Sequence, residues 1–300
     1  MSQPDTHTER IDRTFAQIRA ELPAVRNLLD AFQPVVLERS RLKALCAKTD
    51  LFQPEPLDRA AFQQGVPAAS LTAFNVTPEL IDLTAYRVIS ALEQGFPAIA
   101  PALHDISRAL RDGSVDAKAV ADALLDDRAD DVVSLAQSFG EDPGVIVFVF
   151  LEILRPFVEH RAELIGRQIA DLSWNKGYCP VCGSWPHLSI VRGKDGGRWL
   201  KCSLCSHEWR FMRTACPFCE TQDQDCLSSF FSQDRPFERA EVCTFCNRYI
   251  VSADVRERAE EPATEALPFG LVYLDLLARD KGFEPGVYTE WNTFEIEADR

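Results

Sequence analysis

Thiolate chemistry dominates what this chain can do. Four Cys-x-x-Cys pairs, Cys179/Cys182, Cys202/Cys205, Cys216/Cys219 and Cys243/Cys246, hold eight of its ten cysteines within 68 residues. A pair at this spacing can place two sulfurs on one metal ion from a single tight turn. Two such turns complete a tetrahedral S4 site, and four allow two sites. One pair alone would be a weak signal; four in order are a strong one.

The turn residues fit this reading. In Cys179-Pro180-Val181-Cys182-Gly183, Pro180 pre-sets φ and Gly183 can take the left-handed conformation that closes the turn. Backbone N–H groups can then point at the sulfurs and offset their charge. The other three pairs carry Ser206, Glu220 and Asn247 in the glycine place. Asn tolerates a left-handed turn, so the knuckles carrying Ser206 and Glu220 are expected to be less regular. Proximity groups Cys179, Cys182, Cys202 and Cys205 on one ion and Cys216, Cys219, Cys243 and Cys246 on the other, while spacing leaves a crossed pairing open. Soft thiolates in S4 geometry select zinc or iron, and both a zinc ribbon and a rubredoxin-type FeS4 centre use this turn. A closed S4 site has no open position for water, so metal-assisted hydrolysis is not expected.

Other candidates are weaker. His207, two residues past Cys205, could replace a cysteine, but a histidine there more often hydrogen-bonds nearby. His187 has no motif around it. Cys46 and Cys226 stand outside the pairs and read as small buried side chains. Trp174, Trp185, Trp199, Trp209 and Phe218 read as packing over the knuckles rather than stacking on bases.

Elements must now position these residues. A chain of 300 residues, 46% hydrophobic and 26% charged, can bury a core without a metal. Residues 1–8 are expected to be disordered. From residue 9 to about 172 the periodicity is helical: Ile11, Phe15, Ile18 and Leu22 share a face, and residues 35–48 repeat the theme. Residues 53–70 hold three prolines and read as loop with a short helix. Thr77-Pro78-Glu79 is a helix start, with Thr77 as N-cap, and that helix should end near Gly95. Helices are expected at 98–110, 116–126, 130–139 and from 142 to about 172, the last bent by Pro156. At residue 173 glycines and short β-like runs take over. Strands are expected at 188–192, 198–202, 208–212, 227–232, 240–243 and 248–252, forming two similar halves of two knuckles joined by a β-hairpin. An acidic linker and a helix over 269–281 follow. The fold class is therefore α+β: an all-α N-terminal domain (1–171), a small β-rich domain of two rubredoxin-like or zinc-ribbon-like halves (172–258), and an acidic linker with a C-terminal helix (259–300).

Residues 1–22 show no secretory signal, and the longest apolar run, 145–151, is too short to span a membrane. A reducing, cytoplasmic setting with metal-bound thiolates is expected. The net charge of −14 is uneven: residues 172–258 carry 12 Lys/Arg against 10 Asp/Glu, and the remainder is acidic. Basic residues near anionic S4 sites explain the bias. The acidic remainder argues against a long nucleic-acid contact.

The knuckle region resembles the FdhE family of formate dehydrogenase accessory proteins. The matching stretches are Tyr178–Pro186, Gly197–Cys205, Glu208–Cys219, the fourth knuckle with Arg248-Tyr249-Ile250, and Leu274–Gly282. The resemblance implies a cytoplasmic maturation chaperone, not an enzyme. Such a protein would bind the catalytic subunit of a respiratory formate dehydrogenase before export. It also implies iron in rubredoxin-like sites on the eight paired cysteines, self-association, and no catalytic residues. Two other classes remain on residue grounds. One is a zinc-ribbon nucleic-acid-binding protein using Arg192, Lys194, Arg198, Arg210 and Arg213. The other is a thiol–disulfide oxidoreductase, which would need an exposed, low-pKa pair at a helix N-terminus.

Overall fold

The structure, a computed structural model, describes residues 6–49, 56–68, 76–125 and 128–292. It divides into two compact units, Met1–Glu55 with Ser70–Leu164, and Pro56–Ala69 with Ile165–Arg300.

The first unit is helical. Helix α1 (Thr6–Glu21) buries Ile11, Phe15 and Ile18. It starts earlier than the periodicity indicates: residues 6–8 are helical, with Thr8 Oγ1 3.2 Å from Ser40 Oγ, while residues 1–5 of the segment expected to be disordered lie outside the described residues. Helix α2 (Arg26–Cys46) begins nine residues before the expected 35 and runs through Pro34. An interior proline costs a hydrogen bond, about 3 kcal/mol. Leu29 and Phe32 before it and Val35 and Val36 after it are all buried, and that shared apolar face carries the helix across.

After the short α3 (Arg59–Gln63) of the second unit comes α4 (Pro78–Gly95). Thr77 holds the extended N-cap conformation and its carbonyl accepts from Leu80 and Ile81 N–H, but its hydroxyl makes no cap hydrogen bond. Helices α5 (Ala100–Asp112), α6 (Ala117–Leu125) and α7 (Ala129–Phe139) follow as expected. Helix α8 (Pro143–Gln168) contains Pro156 and the apolar run. It also buries charge: Arg39 on α2 pairs with Glu152 at 3.2 Å and Glu159 at 3.4 Å. Among the described residues no helix is long and apolar enough to cross a membrane.

The second unit is built on one sheet. Its strands are β1 (Pro186–Arg192), β2 (Gly197–Cys202), β3 (Glu208–Phe211), β4 (Leu227–Phe230), β5 (Glu238–Cys243), β6 (Arg248–Asp254) and β7 (Glu284–Pro285). The order is β3-β2-β1-β6-β5-β4, with β7 beside β6. Each half is an antiparallel three-strand meander, as the hairpin signals required. The halves join where β1 runs parallel to β6, Leu188 opposite Val251.

One sheet face is apolar. Leu188, Ile190, Ala240, Val242, Tyr249 and Val251 pack with Leu267 of α9 (Leu267–Gly270) and Leu271, Leu274 and Ala278 in and beside α10 (Val272–Asp280). The acidic stretch before α9 packs too: Ala263 and Ala266 are fully buried. Thr264 Oγ1 donates to Glu208 Oε1 at 2.6 Å and accepts from Lys201 Nζ at 2.8 Å. Residues 293–300 lie outside the described residues.

Candidate metal centres

The four knuckles share one backbone solution. The N–H of the first cysteine donates to the carbonyl five residues on, Cys179 to Ser184, Cys202 to His207 and Cys216 to Thr221, each at 2.9 Å. Cys243 is paired instead with Arg248 in the β5/β6 ladder. The residue after the second cysteine is left-handed in all four: φ is +81° at Gly183, +57° at Ser206, +58° at Glu220 and +58° at Asn247. The expectation that two knuckles are less regular is therefore corrected. The turn imposes its geometry on Ser206 and Glu220, at a strain of about 1–2 kcal/mol each. Glu220 is also held by its side chain, whose Oε1 accepts from Gly177 N–H at 3.2 Å.

The turns bring eight sulfurs into two groups, Cys179/Cys182/Cys202/Cys205 and Cys216/Cys219/Cys243/Cys246, each with its Sγ atoms within 4.8 Å of one another. The uncrossed grouping is the one formed. The closest sulfurs are Cys182 and Cys202 at 3.4 Å and Cys179 and Cys205 at 3.6 Å in the first group. In the second group Cys216 and Cys246, and Cys219 and Cys243, are 3.7 Å apart. An S4 tetrahedron with metal–sulfur bonds of about 2.3 Å has edges of about 3.8 Å, whereas a disulfide is about 2.05 Å. The cysteines are free thiols, and their spacing fits an ion, not a bridge. Backbone donors point at sulfur: Cys205 N–H to Cys202 Sγ and Phe218 N–H to Cys216 Sγ, both 3.4 Å. Burial pushes the Cys179, Cys205 and Cys216 thiols up, so holding each group as thiolates calls for a cation among them. The donor set thus fits a divalent or trivalent ion in each group.

A chain of aromatic rings flanks the first knuckle and reaches Phe218 in the third. Phe62, Trp174, Tyr178, Trp185 and Phe218 form a chain of ring contacts with centroids 4.8, 5.4, 5.9 and 6.0 Å apart. This is the packing role expected for Trp174, Trp185 and Phe218. Trp209 is buried, its Nε1 donating to Lys176 O at 3.2 Å, and Arg192 lies 4.4 Å from the Trp199 ring centre. Gly177 packs directly on the third knuckle: a Cβ there would sit 1.7 Å from Pro217 O.

His207 is outside both sulfur groups; its ring rests on Gly166, and burial lowers its pKa. His187 rests against Trp291. Cys46 is buried, with its thiol pushed up to about 12 by burial. Cys226 corrects the expectation of burial: it is partly exposed, its Sγ 3.6 Å from Asp223 Oδ2 and its carbonyl accepting from Thr244 N–H. The polar half-turn Gln224–Cys226 lifts it out of the core.

Of the basic residues singled out for nucleic acid, Arg192 pairs with Glu208 and Glu261, Arg198 with Glu241, and Arg210 with Asp195. Arg198 is a residue whose role sequence reasoning missed. Buried on β2, it donates to Ser189 Oγ, Met212 O and Ala215 O and reaches Glu241 on β5, pinning one half to the other. Strand alternation around Ser189 and Arg198 was the available signal, but their partner strand was not predictable.

Fold and site together define an α+β protein with two closed groups of four cysteines able to hold metal ions. The sequence model of the FdhE central domain matches residues 178–213, which span both knuckles of the first half. Among curated proteins, the chain is 32% identical over 160 residues to "Protein FdhE homolog" of Aquifex aeolicus (strain VF5), covering 51% of this chain and 55% of that protein. It is 27% identical over 197 residues to "Protein FdhE homolog" of Edwardsiella ictaluri (strain 93-146), covering 65% and 60%. The chain thus matches little more than half the length of these relatives. In fold it is similar to the crystal structure of the FdhE protein from Pseudomonas aeruginosa, at a TM-score of 0.59 and 23% identity, covering 95% of this chain and 94% of that one. The resemblance to the FdhE family drawn from the knuckle motifs is borne out by these matches.

Proposed function

We propose that the chain is an accessory protein for the maturation of a respiratory formate dehydrogenase, acting in the cytoplasm and binding that enzyme's catalytic subunit. It would hold the client rather than carry out catalysis. The eight paired cysteines would ligate two ions, iron as the family resemblance implies, with zinc as the alternative. Self-association belongs to the same reading.

The carrying observation is a pair of complete four-cysteine groups in a chain whose 178–213 segment matches the FdhE central domain. With four sulfurs each, the groups suit holding an ion better than activating a water on it. Of the five basic residues weighed for nucleic acid, Arg192, Arg198 and Arg210 are already held in ion pairs.

The test is capture of the formate dehydrogenase catalytic subunit by the tagged chain, and its loss on Cys→Ser change in the knuckles. A deletion strain that keeps full respiratory formate dehydrogenase activity would sink the proposal. Anaerobic purification with elemental analysis and a visible spectrum separates the metals: ferric FeS4 is red and zinc is colourless.

A further inference from the structure

The sheet's second face is polar. Along β5 and β6, Arg239, Glu241, Arg248, Ile250 and Ser252 alternate with the residues that face α10, and the register aligns Arg239 with Ser252 and Glu241 with Ile250. This face lines a cavity of about 310 Å³, walled on one side by the third knuckle at Ala215–Phe218. The buried Arg198–Glu241 pair lines it as well.

Four more guanidinium groups line the same cavity, those of Arg213, Arg239, Arg248 and Arg256. Arg256 is matched by Asp254 at 2.7 Å. The other three have no carboxylate within ion-pairing distance among the described residues. Arg213 donates to Gly196 O at 3.0 Å, Arg239 donates to Pro236 O at 3.3 Å, and Arg248 lies 6.0 Å from the Phe218 ring centre. The two carboxylates lining the cavity, Glu241 and Asp254, are already paired with Arg198 and Arg256. Arg239 acts on Asp254 through space and the sulfurs of Cys216 and Cys243 lie at the cavity, but none of the three arginines forms an ion pair, and like charges around one cavity are unfavourable to one another. Arginine forks suit planar or tetrahedral oxyanions, and the hydroxyl of Ser229, opposite Glu241 on the same face, adds a donor. The volume lies at the lower end of small-molecule sites, which begin at about 300 Å³, and is too small for a helix or a folded partner.

We propose that this cavity binds a small polyanion of about mononucleotide size, through phosphate or carboxylate groups held by Arg213, Arg239 and Arg248. The cavity borders the second sulfur group, whose Cys216 and Cys243 help line it, and the proposal does not depend on the identity of the client.

Titration calorimetry of the full chain, as purified with its metal, against pyrophosphate and against citrate at low salt tests it. Saturable one-to-one binding of pyrophosphate alone assigns phosphate, and of citrate alone assigns carboxylate. The Arg239→Gln/Arg248→Gln double variant should weaken binding at least about tenfold while keeping the parent's metal content. If that variant does not fold, Arg213→Gln on the exposed turn after β3 carries the test, with a loss of about fivefold or more. No saturable binding of either anion, or parental affinity in the folded variants, overturns the proposal. So would tighter binding of an acidic decapeptide than of both small anions, since a polypeptide would then be the occupant.

Discussion

The two sulfur groups are built from the same turn yet sit in different surroundings. In the first, Cys179, Cys202 and Cys205 are buried and only Cys182 is partly exposed. In the second, Cys219 and Cys246 are both partly exposed, and Phe245 between the cysteines of its last knuckle is 71% exposed. The first group is flanked by the aromatic chain and by the segment 56–68, where Ala68 N–H donates to Pro180 O at 2.8 Å and Tyr178 Oη donates to Gly65 O at 2.7 Å. The second borders the cationic cavity and is closed by the C-terminal segment, where Asn247 Nδ2 donates to Gly282 O at 3.0 Å. Identical ligand sets can thus serve unlike purposes: shielding favours a permanent staple, and access favours exchange.

The largest expected effect comes from removing the metal. Structural S4 sites contribute on the order of 10 kcal/mol to folding. A chelator challenge followed by metal analysis should show two phases, the second group emptying first. Cys246→Ser should abolish the fast phase and leave the slow one, whereas Cys202→Ser should unfold the β unit and spare the helices in circular dichroism. A single phase, or a fast phase assigned to the first group, would erase the distinction drawn above.

Next in size is Gly177→Ala. With no room between residue 177 and Pro217 O, the change should cost about 3 kcal/mol, read as a drop in the denaturant midpoint of the β unit. An unchanged midpoint would show that the first half's lead-in is not seated on the third knuckle.

Asp275 gives a pH test confined to the second half. Its carboxyl is raised to about 6, chiefly by burial, although Tyr249 Oη donates to its Oδ1 at 2.9 Å and Asn292 and Arg279 also favour the charged form. The native state therefore holds a proton that the unfolded chain releases near pH 4. Stability conferred by the neutral form is present below that pH and is lost as pH rises through about 6. Asp275→Asn should remove this slope and stabilise the unit at pH 7.5, by an amount on the order of 2 kcal/mol. A slope retained between pH 4 and 6 would assign it to another group.

The smallest effect concerns the left-handed position. Glu220→Gly releases strain but loses the bond to Gly177 N–H, and should be neutral to within about 1 kcal/mol. Glu220→Ala loses the bond and keeps the strain, so it should be less stable than the glycine variant by about 1 kcal/mol. Equal stabilities would mean that the knuckle does not enforce this conformation.

The β unit was legible in the sequence because its signals are local. Gly193–Gly197 between alternating runs specifies a hairpin, and four spaced cysteine pairs with short gaps specify the ligand turns, with proximity favouring the grouping that forms and spacing leaving a crossed one open. Illegible were features set by distant partners. The β1/β6 seam joins strands about 60 residues apart, and nothing near Leu188 names Val251 as its neighbour. The segment 56–68 lies in the helical half of the sequence but packs with the knuckles through Phe62 and Trp174. Helix α2 crosses Pro34 because apolar burial on both sides outweighs a local rule. Thr77 has the right residue type and backbone for a cap, but its carbonyl rather than its hydroxyl meets the helix.

The parallel seam has one more consequence. Because β1 meets β6 running the same way, the second meander is a shifted copy of the first and not a rotated one. A rotated pair would offer one doorway twice. A shifted pair has a front and a back, with strand β3 at one border and β4 at the other. Anything that docks along the sheet meets the two centres in a fixed sequence, so the array carries a built-in direction that its repeated chemistry alone would not reveal.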